Sequence, residues 1–317
     1  IPASNVPGNY CHRSRKASIF LASLLGISAR FNLACSGAES KDIASPNTQY
    51  SEPAQLAHLA AVARSHDIKL IVLSLGGNDL GFADYLLSCM KKFALDAVNP
   101  FGGTGCTPAD LPDDTKFQDM KNKVAAAIDQ IRATMRAAGK ADSSYRLIVQ
   151  SYPSPLPGRY ADPFHRERSL GIWQYDTSWL FPNLATTRFG YPGCPFHEET
   201  GTSFIGASRK AADILKQVAS SRGAEFLALA DSLKGYGRCE RANPDEAAIT
   251  GMLHADNSVW QDILRTGTAG TKPFNVFQES MHPNLRGHQL LGACLSGAYA
   301  STAASKQCLP GGSVTSY

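Results

Sequence analysis

Long apolar runs are absent from the 317-residue sequence, which excludes a transmembrane helix of ordinary length. The first residues also lack the charged-then-apolar pattern of a secretory signal peptide. Lys and Arg are scattered and the net charge is only +4, so the concentrated basic surface of a nucleic-acid-binding protein is missing as well. With 43% hydrophobic and 18% charged residues, the composition is that of an ordinary globular protein. The chain is also long enough to bury a full hydrophobic core.

Cysteine is present, but the C-x-x-C step is not. The eight cysteines are an even set without the paired spacing of zinc sites and thioredoxin-like motifs, so disulfides explain them better than metal ligands do. The alternative is a set of buried free thiols in a cytosolic protein. Because disulfides persist in oxidising compartments, the set indicates a secreted protein. Pairing between sequence neighbours predicts the bridges Cys11–Cys35, Cys89–Cys106, Cys194–Cys239 and Cys294–Cys308.

Four short segments have the composition of strands that are buried on both faces, being rich in Val, Ile, Leu and Phe. They are Ala29–Cys35, Ile68–Leu75, Tyr145–Tyr152 and Ala224–Ala230. Helical patterns cover Lys16–Gly26, Ala54–Ser65, Phe117–Gly139, Ser208–Gly223 and Asn284–Ser301. This alternation predicts a three-layer α/β/α sandwich with a mainly parallel sheet and right-handed crossovers.

Two long segments interrupt the alternation. Pro153–Ser203 is rich in Pro, Gly and aromatic residues, and Arg241–Phe274 contains Trp260. Loops of that length are uncommon unless they carry function, so we expect both to wall a pocket above the sheet. The tail Leu309–Tyr317 is expected to be flexible.

Ligands of open α/β sheets bind beyond the carboxyl ends of the strands, and polar turns follow two of the predicted strands. In the turn Ser36-Gly37, the glycine lets backbone approach a ligand and offers an N–H group. In "GGND", Asn78 presents an uncharged NH2 donor that can stabilise an oxyanion, and Asp79 is expected to cap the following turn. Ordinary turns without any chemistry are the alternative at both places.

A histidine near the C-terminus is the third candidate. Pro283 disfavours helix at His282 and leaves its ring on a loop before the last helix. Glu279 could accept the Nδ1 proton of His282 and support the imidazolium, whereas a structural or surface histidine is the plainer interpretation. His288 lies inside the helical pattern and is interpreted as a packing or surface residue, since its spacing from His282 fits no common metal site.

The order of these signals resembles the SGNH or GDSL hydrolase family. "CSGA", a strand followed by "GGND", and a late "HPNxxGH" with an acid before the histidine all occur in that order. The run "C-x-R-S" before "ACSGA", with Cys11, Arg13 and Ser14, is similar to the secreted, disulfide-bearing esterase and lipase branch. The resemblance covers nearly the whole chain. It implies that Gly37 and Asn78 are oxyanion-hole donors, that His282 is the general base, and that Glu279 stands where the family usually has Asp.

The nucleophile that the resemblance implies is missing. The family carries it in a "GDS" block after its first strand, and no such block precedes "CSGA". The resemblance thus implies one SGNH-hydrolase-like domain over residues 1–317 that lacks its N-terminal strand and nucleophile turn, with a companion N-terminal segment filling the slot. Ser232, in "ADSLKGYG", is the alternative nucleophile, although it also suits a turn cap; Ser36 is a poorer choice.

We therefore expect a secreted esterase or lipase that cleaves a small-molecule, lipid or polysaccharide ester. A serine would attack the acyl carbon, His282 would take its proton, and Gly37 with Asn78 would stabilise the oxyanion. No metal or organic cofactor is needed for this chemistry. The alternatives are a non-catalytic carbohydrate- or lipid-binding module on the same scaffold and an inactive fragment of a larger esterase.

Overall fold

The computed structural model describes residue 11 and residues 13–48, 51–97, 106–156, 198–236 and 282–317. These residues form an α/β fold in which helices flank a mostly parallel sheet. The helices are α1 (Ser18–Leu21), α2 (Lys41–Ala44), α3 (Gln55–Ser65), α4 (Phe82–Ala97), α5 (Asp114–Ala137), α6 (Glu198–Ser221) and α7 (Leu285–Ala300). The strands are β1 (Leu70–Ser74), β2 (Arg146–Gln150), β3 (Glu225–Ala228), β4 (Ser305–Cys308) and β5 (Val314–Ser316).

The sheet has the order β1-β2-β3-β4-β5, so each strand pairs with its neighbour in sequence. The first four strands are parallel, and β5 pairs with β4 in the antiparallel direction. Helices connect the parallel strands, so the carboxyl ends of β1, β2 and β3 lie side by side. We call this row of strand ends the carboxyl-end edge of the sheet, and the row at the opposite ends of the strands the amino-end edge.

Helices cover both faces of the sheet, which makes three layers. On one face α3, α5 and α6 pack in a large apolar cluster with Leu147, Val149 and Phe226 of the sheet. On the other face α1 and α7 pack with Ile148 and Leu227. Strands buried on both faces explain the continuous apolar runs in the sequence. The predicted three-layer architecture is confirmed.

Three of the four predicted strands are confirmed as β1, β2 and β3, and the prediction for Ala29–Cys35 is wrong. That segment has no strand assignment, and within the described residues it makes no backbone ladder with β1. Its apolar composition suits a strand, but a strand also needs a neighbour to accept its hydrogen bonds. In the described part of the sheet, β1 pairs only with β2 and is an edge strand.

The predicted helices correspond to α1, α3, α5, α6 and α7, although α1 is only one turn long. The expectation of a flexible tail is wrong, because residues 314–316 form β5 and Tyr317 donates its N–H to the Ser305 carbonyl. Most of the segment from Pro153 to Ser203 and all of the segment from Arg241 to Phe274 lie outside the described residues. No helix within the described ranges is long and apolar enough to cross a membrane.

Three predicted disulfides are confirmed. They are Cys11–Cys35, Cys89–Cys106 and Cys294–Cys308. The fourth predicted pair, Cys194 with Cys239, falls outside the described residues. The first bridge fixes the chain just before the Ser36-Gly37 turn, and the last one joins α7 to β4.

An ionic cluster stabilises the amino-end edge of the sheet. Glu225 at the start of β3 receives hydrogen bonds from Arg146 Nε at 2.6 Å and from Lys306 Nζ, and the Lys306 side chain is 0% exposed. The Arg146 guanidinium also donates to the carbonyls of Ala298, Tyr299 and Ser301 at the end of α7. A cation at that position satisfies helix-end carbonyls and opposes the helix dipole. The cluster thus joins β2, β3, β4 and α7.

We predict that Glu225→Gln lowers the free energy of unfolding by about 3 kcal/mol at about pH 7, because it leaves a buried ammonium without its counter-charge. Burial opposes ionisation of Glu225, but the hydrogen bonds from Arg146 and Lys306 outweigh it and hold the pKa of the carboxyl below its usual value. The carboxylate therefore stabilises the fold above the unfolded-state pKa, and this stabilisation is lost as the pH falls through the folded-state pKa.

Urea unfolding at a series of pH values measures the effect. The difference between the wild type and Glu225→Gln should shrink as the pH falls through the folded-state pKa of Glu225, because the wild-type carboxyl then becomes neutral as well. Asp129→Asn is the matched control, since the Asp129 carboxylate pairs with Arg222 at 3.0 Å on the surface and should contribute less than about 1 kcal/mol. A difference that does not depend on pH would contradict the prediction.

Candidate functional site

The two glycines that end β1 are each required by a different neighbour. Gly76 has a φ of +106°, which L side chains rarely adopt, and a Cβ there would lie 2.9 Å from the Met120 side chain. At Gly77 a Cβ would lie 3.0 Å from ring carbons of Tyr152, which follows β2. The Gly-Gly pair thus lets the chain leave the sheet while Met120 and Tyr152 pack against its backbone.

The Asn78 carboxamide lies directly after these glycines and contacts the other predicted donor turn. Its Nδ2 donates to the Ala38 carbonyl at 2.9 Å, and Ala38 is the residue after Gly37. A carboxamide nitrogen carries two hydrogens, and the described residues supply an acceptor for one of them. The structure therefore places the Asn78 carboxamide against the residue that follows Gly37, so that two of the predicted site residues lie close together.

Asp79 has a different role from the predicted cap of its own turn. Its carboxylate accepts hydrogen bonds from the Ser40 N–H, at 3.1 Å, and from the Ser40 Oγ, at 2.8 Å. The following turn is closed instead by backbone bonds, including the Leu80 N–H to the Gly76 carbonyl. The Asp79 side chain is 1% exposed, and Lys123 Nζ lies 3.8 Å away. Asp79 thus caps the first turn of α2 across the sheet edge and joins two chain segments.

Gly37 lies in a tight turn with a φ of +73°, where glycine is favoured. The turn is closed by the Ala38 N–H, which donates to the Cys35 carbonyl at 3.2 Å, and the Ser36 N–H donates to the Cys11 carbonyl at 3.2 Å. Two further contacts hold this turn. The Cys11–Cys35 disulfide lies before Gly37, and the Asn78 side chain donates to the Ala38 carbonyl after it. The backbone is consequently held on both sides of Gly37.

His282 lies before α7 and is exposed, as the Pro283 rule predicted for a loop residue. Asn284 is the N-cap of α7, and its side chain accepts a hydrogen bond from the Gly287 N–H at 3.0 Å. The first turns of α7 pack on the turn after β3, where Arg286 lies 5.2 Å from the Tyr236 ring centroid. Because α7 leads into the parallel strand β4, its start lies on the carboxyl-end edge of the sheet, the same edge as Asn78.

His288 is close enough to His282 to feel its charge. Burial lowers the pKa of His288, and the nearby His282 lowers it further. The Nδ1 atom of His288 is buried and has no hydrogen-bond partner among the described residues, which agrees with the predicted packing role. Glu279, the predicted orienting acid for His282, lies outside the described residues.

Ser232 occupies a structural position. The residue is 0% exposed, and its Oγ donates to the Leu229 carbonyl at 2.7 Å within the turn after β3. A hydroxyl that is buried and already donating to backbone cannot approach an acyl carbon without unfolding the turn. The geometry favours the turn-cap interpretation of Ser232 over the nucleophile.

Tyr152 is the site residue that the sequence reasoning missed. Burial raises the pKa of its phenol, and the Gly77 backbone and the Ser74 side chain oppose that shift only in part. The ring packs against the backbone immediately before Asn78. Tyr152 follows β2 closely in the sequence, as the Gly-Gly pair follows β1. That the ring meets Gly77 can be inferred only once the register of β1 and β2 is known.

The described part of this edge thus carries hydrogen-bond donors and an imidazole. Gly37 and Asn78 supply uncharged N–H groups, which can stabilise a developing oxyanion. No group of three or more His, Cys, Asp or Glu residues with metal-binding geometry occurs within the described ranges. The donors of this edge suit an anionic or carbonyl oxygen.

Comparison with known proteins gives structural neighbours only. No family model and no curated protein sequence matches the chain. An extracellular lipase from Streptomyces rimosus is similar at 18% identity and a TM-score of 0.49, over 90% of each chain. A phospholipase A1 from Streptomyces albidoflavus NA297 is similar at 19% identity and a TM-score of 0.43, over 78% of this chain and 83% of that one. These values are too low to transfer an activity.

We predict that Gly77→Ala lowers the free energy of unfolding by about 2 kcal/mol, because the new methyl group overlaps the Tyr152 ring. Tyr152→Leu removes the ring, so Gly77→Ala should cost less stability when it is added to Tyr152→Leu than when it is added to the wild type. Gly206→Ala is the control, since this glycine of α6 has open space around its Cβ position and should become more stable by up to about 1 kcal/mol. Denaturant unfolding of the wild type and the four variants measures these differences, and strictly additive losses would contradict the proposed overlap.

Proposed function

We propose that the protein hydrolyses carboxylic esters by serine chemistry at the carboxyl-end edge of its sheet. The observation that carries this proposal is the hydrogen bond from Asn78 Nδ2 to the Ala38 carbonyl, at 2.9 Å, because it holds the carboxamide against the residue that follows Gly37. Two convergent N–H groups held by a rigid scaffold are the usual device for stabilising a tetrahedral oxyanion. His282, on the same edge, is the residue type most often used as a general base.

The reaction follows from these groups. A serine hydroxyl attacks the acyl carbon, His282 takes the hydroxyl proton, and the carbonyl oxygen becomes an oxyanion bound by the Gly37 N–H and Asn78 Nδ2. His282 then gives the proton to the departing alcohol, which leaves an acyl-enzyme. A water molecule that loses its proton to His282 releases the acid and restores the serine. Glu279, or a backbone carbonyl, would orient the imidazole. No step needs a metal or an organic cofactor.

The serine is proposed to come from a companion segment that adds a strand beside β1. Leu70 and Val72 face one apolar layer and Ile71 and Leu73 face the other, which is the pattern of a central strand. In the described part of the fold, however, β1 has a partner on one side only. A strand with two apolar faces and an unpaired edge is an acceptor for another strand.

The segment from residue 27 to residue 35 supports a slot of this kind. Phe31 contacts His66, before β1, with ring centroids 4.8 Å apart, and the Ala38 carbonyl binds Asn78, after β1. The segment therefore runs in the same direction as β1 and is fixed to both of its ends, yet the two make no ladder with each other. A strand between them would place its carboxyl end, and a serine there, beside Gly37 and Asn78. This agrees with one SGNH-hydrolase-like domain over residues 1–317.

The three disulfides support secretion, because such bonds persist in oxidising compartments. The substrate is proposed to be a small-molecule, lipid or polysaccharide ester. A carbohydrate- or lipid-binding module without a nucleophile is the competing function, and the buried Ser232 hydroxyl is the observation in its favour.

We predict that the protein purified from its natural source hydrolyses p-nitrophenyl esters and that Asn78→Ala lowers kcat by about 10²- to 10³-fold while the fold is kept. The matched control is Asn122→Ala, since Asn122 is an exposed residue of α5 whose side chain accepts a hydrogen bond from Gln118. Intact mass should exceed that of the 317 residues. Hydrolysis at wild-type rates by Asn78→Ala would remove the carboxamide from the mechanism, and absence of both extra mass and hydrolysis would favour the binding module.

We predict that the backbone amides of β1 that point away from β2 exchange hydrogen fast in the 317-residue chain alone and slowly in the natural protein. Hydrogen exchange with peptide mapping over 70–74 measures this, and β2 is the internal control because it has strands on both sides. Full protection of β1 in the chain alone would contradict an open slot.

A further inference from the structure

A buried arginine precedes the Gly37 turn and binds the backbone that leads into it. The Arg13 Nε donates to the Ala34 carbonyl at 2.8 Å, and its Nη2 donates to the Leu33 carbonyl at 3.4 Å. Arg13 is 7% exposed, so its charge needs a partner inside the protein. These carbonyls belong to the segment of residues 27–35, which makes no backbone ladder with β1. The guanidinium therefore supplies the hydrogen bonds that a neighbouring strand would otherwise donate to them.

A buried carboxylate fixes the guanidinium in turn. Glu52, which is 4% exposed, accepts a hydrogen bond from Arg13 Nη2, and its Oε1 lies 3.0 Å from His58 Nε2. The Glu52 backbone is held by reciprocal bonds with Asn47, at 2.8 and 2.9 Å. His58 belongs to α3, which packs in the large core cluster. A chain of polar contacts therefore runs from the core through Glu52 and Arg13 to the carbonyls before Cys35.

The Gly37 N–H depends on the direction in which the chain enters its turn. The turn begins at Cys35, which is bonded to Cys11, and Arg13 is only two residues from Cys11. Asn78 holds the other side of the turn through Ala38. An oxyanion donor works only within hydrogen-bond distance of the reacting oxygen, and a displacement of about 1 Å can cost about 10²-fold in rate.

We infer that Arg13 is a positioning residue, which acts through the Leu33 and Ala34 carbonyls to aim the Gly37 N–H at the oxyanion. Glu52, and His58 behind it, hold the guanidinium in the orientation that this requires. The inference rests on the proposed function, since it gives Arg13 a role in that reaction. Lysine keeps the positive charge but lacks the planar fork that binds two carbonyls and a carboxylate together.

Arg13→Lys tests the inference, with Arg30→Lys as the matched control. Arg30 donates to the Phe20 carbonyl at 2.8 Å near the opposite end of the same segment, far from the Gly37 turn. In the natural protein, Arg13→Lys should lower kcat for a p-nitrophenyl ester by about 10- to 100-fold and leave KM within about twofold. Arg30→Lys should leave kcat unchanged. If Arg13→Lys does not fold, Glu52→Gln replaces it, because this change weakens the carboxylate contact that holds the Arg13 guanidinium. The same decrease in kcat is then expected relative to Arg30→Lys.

A second readout separates this inference from the proposed function. In protein labelled with [15N]glycine, Arg13→Lys should shift the Gly37 amide resonance and speed its hydrogen exchange, and Arg30→Lys should do neither. An unchanged Gly37 amide in Arg13→Lys would overturn the positioning role, whatever happens to kcat. A displaced amide with unchanged kcat would also overturn it. Absence of esterase activity in the wild type would instead overturn the proposed function, and the Gly37 resonance would still report whether Arg13 controls the turn.

Discussion

The bond between the Asp79 carboxylate and Ser40 is the constraint on which the candidate site depends. Two chain segments that are almost forty residues apart meet at this point. A carboxylate that is 1% exposed has lost its water, and the Ser40 N–H and Oγ replace it only if α2 begins where it does. The neighbouring bond from Asn78 to Ala38 is weaker because both partners are neutral, so the Asp79 carboxylate is the stronger of the two links between these segments.

The two ends of the strands carry different kinds of polar groups. At the amino-end edge, Arg146, Glu225 and Lys306 join three strands and the last turn of α7 with charged hydrogen bonds. At the carboxyl-end edge, glycines and amides leave donors near the surface. Because the first edge holds the far end of α7, the start of that helix, where His282 lies, can remain exposed without loosening the helix.

The sequence predicts the part of the fold that local composition determines. Apolar runs give β1, β2 and β3, and cysteine neighbours give three disulfides. Contacts between distant segments could not be predicted in this way. Asp79 was assigned to its own turn because its partner, Ser40, is distant in sequence. The Tyr152 ring meets Gly77 only through the register of β1 and β2. Ala29–Cys35 was predicted as a strand because composition carries no information about whether a neighbour is present.

The same segment explains why arginines lie where they do. A run of residues that leaves a helix and makes no ladder must still find donors for its carbonyls. Arg13 donates to the Leu33 and Ala34 carbonyls at the end of the run, whereas Arg30, within the run, donates to the Phe20 carbonyl of α1. An arginine that binds carbonyls at one end of the run is compatible with an added strand beside the rest of it, whereas arginines donating along the whole run would have blocked one.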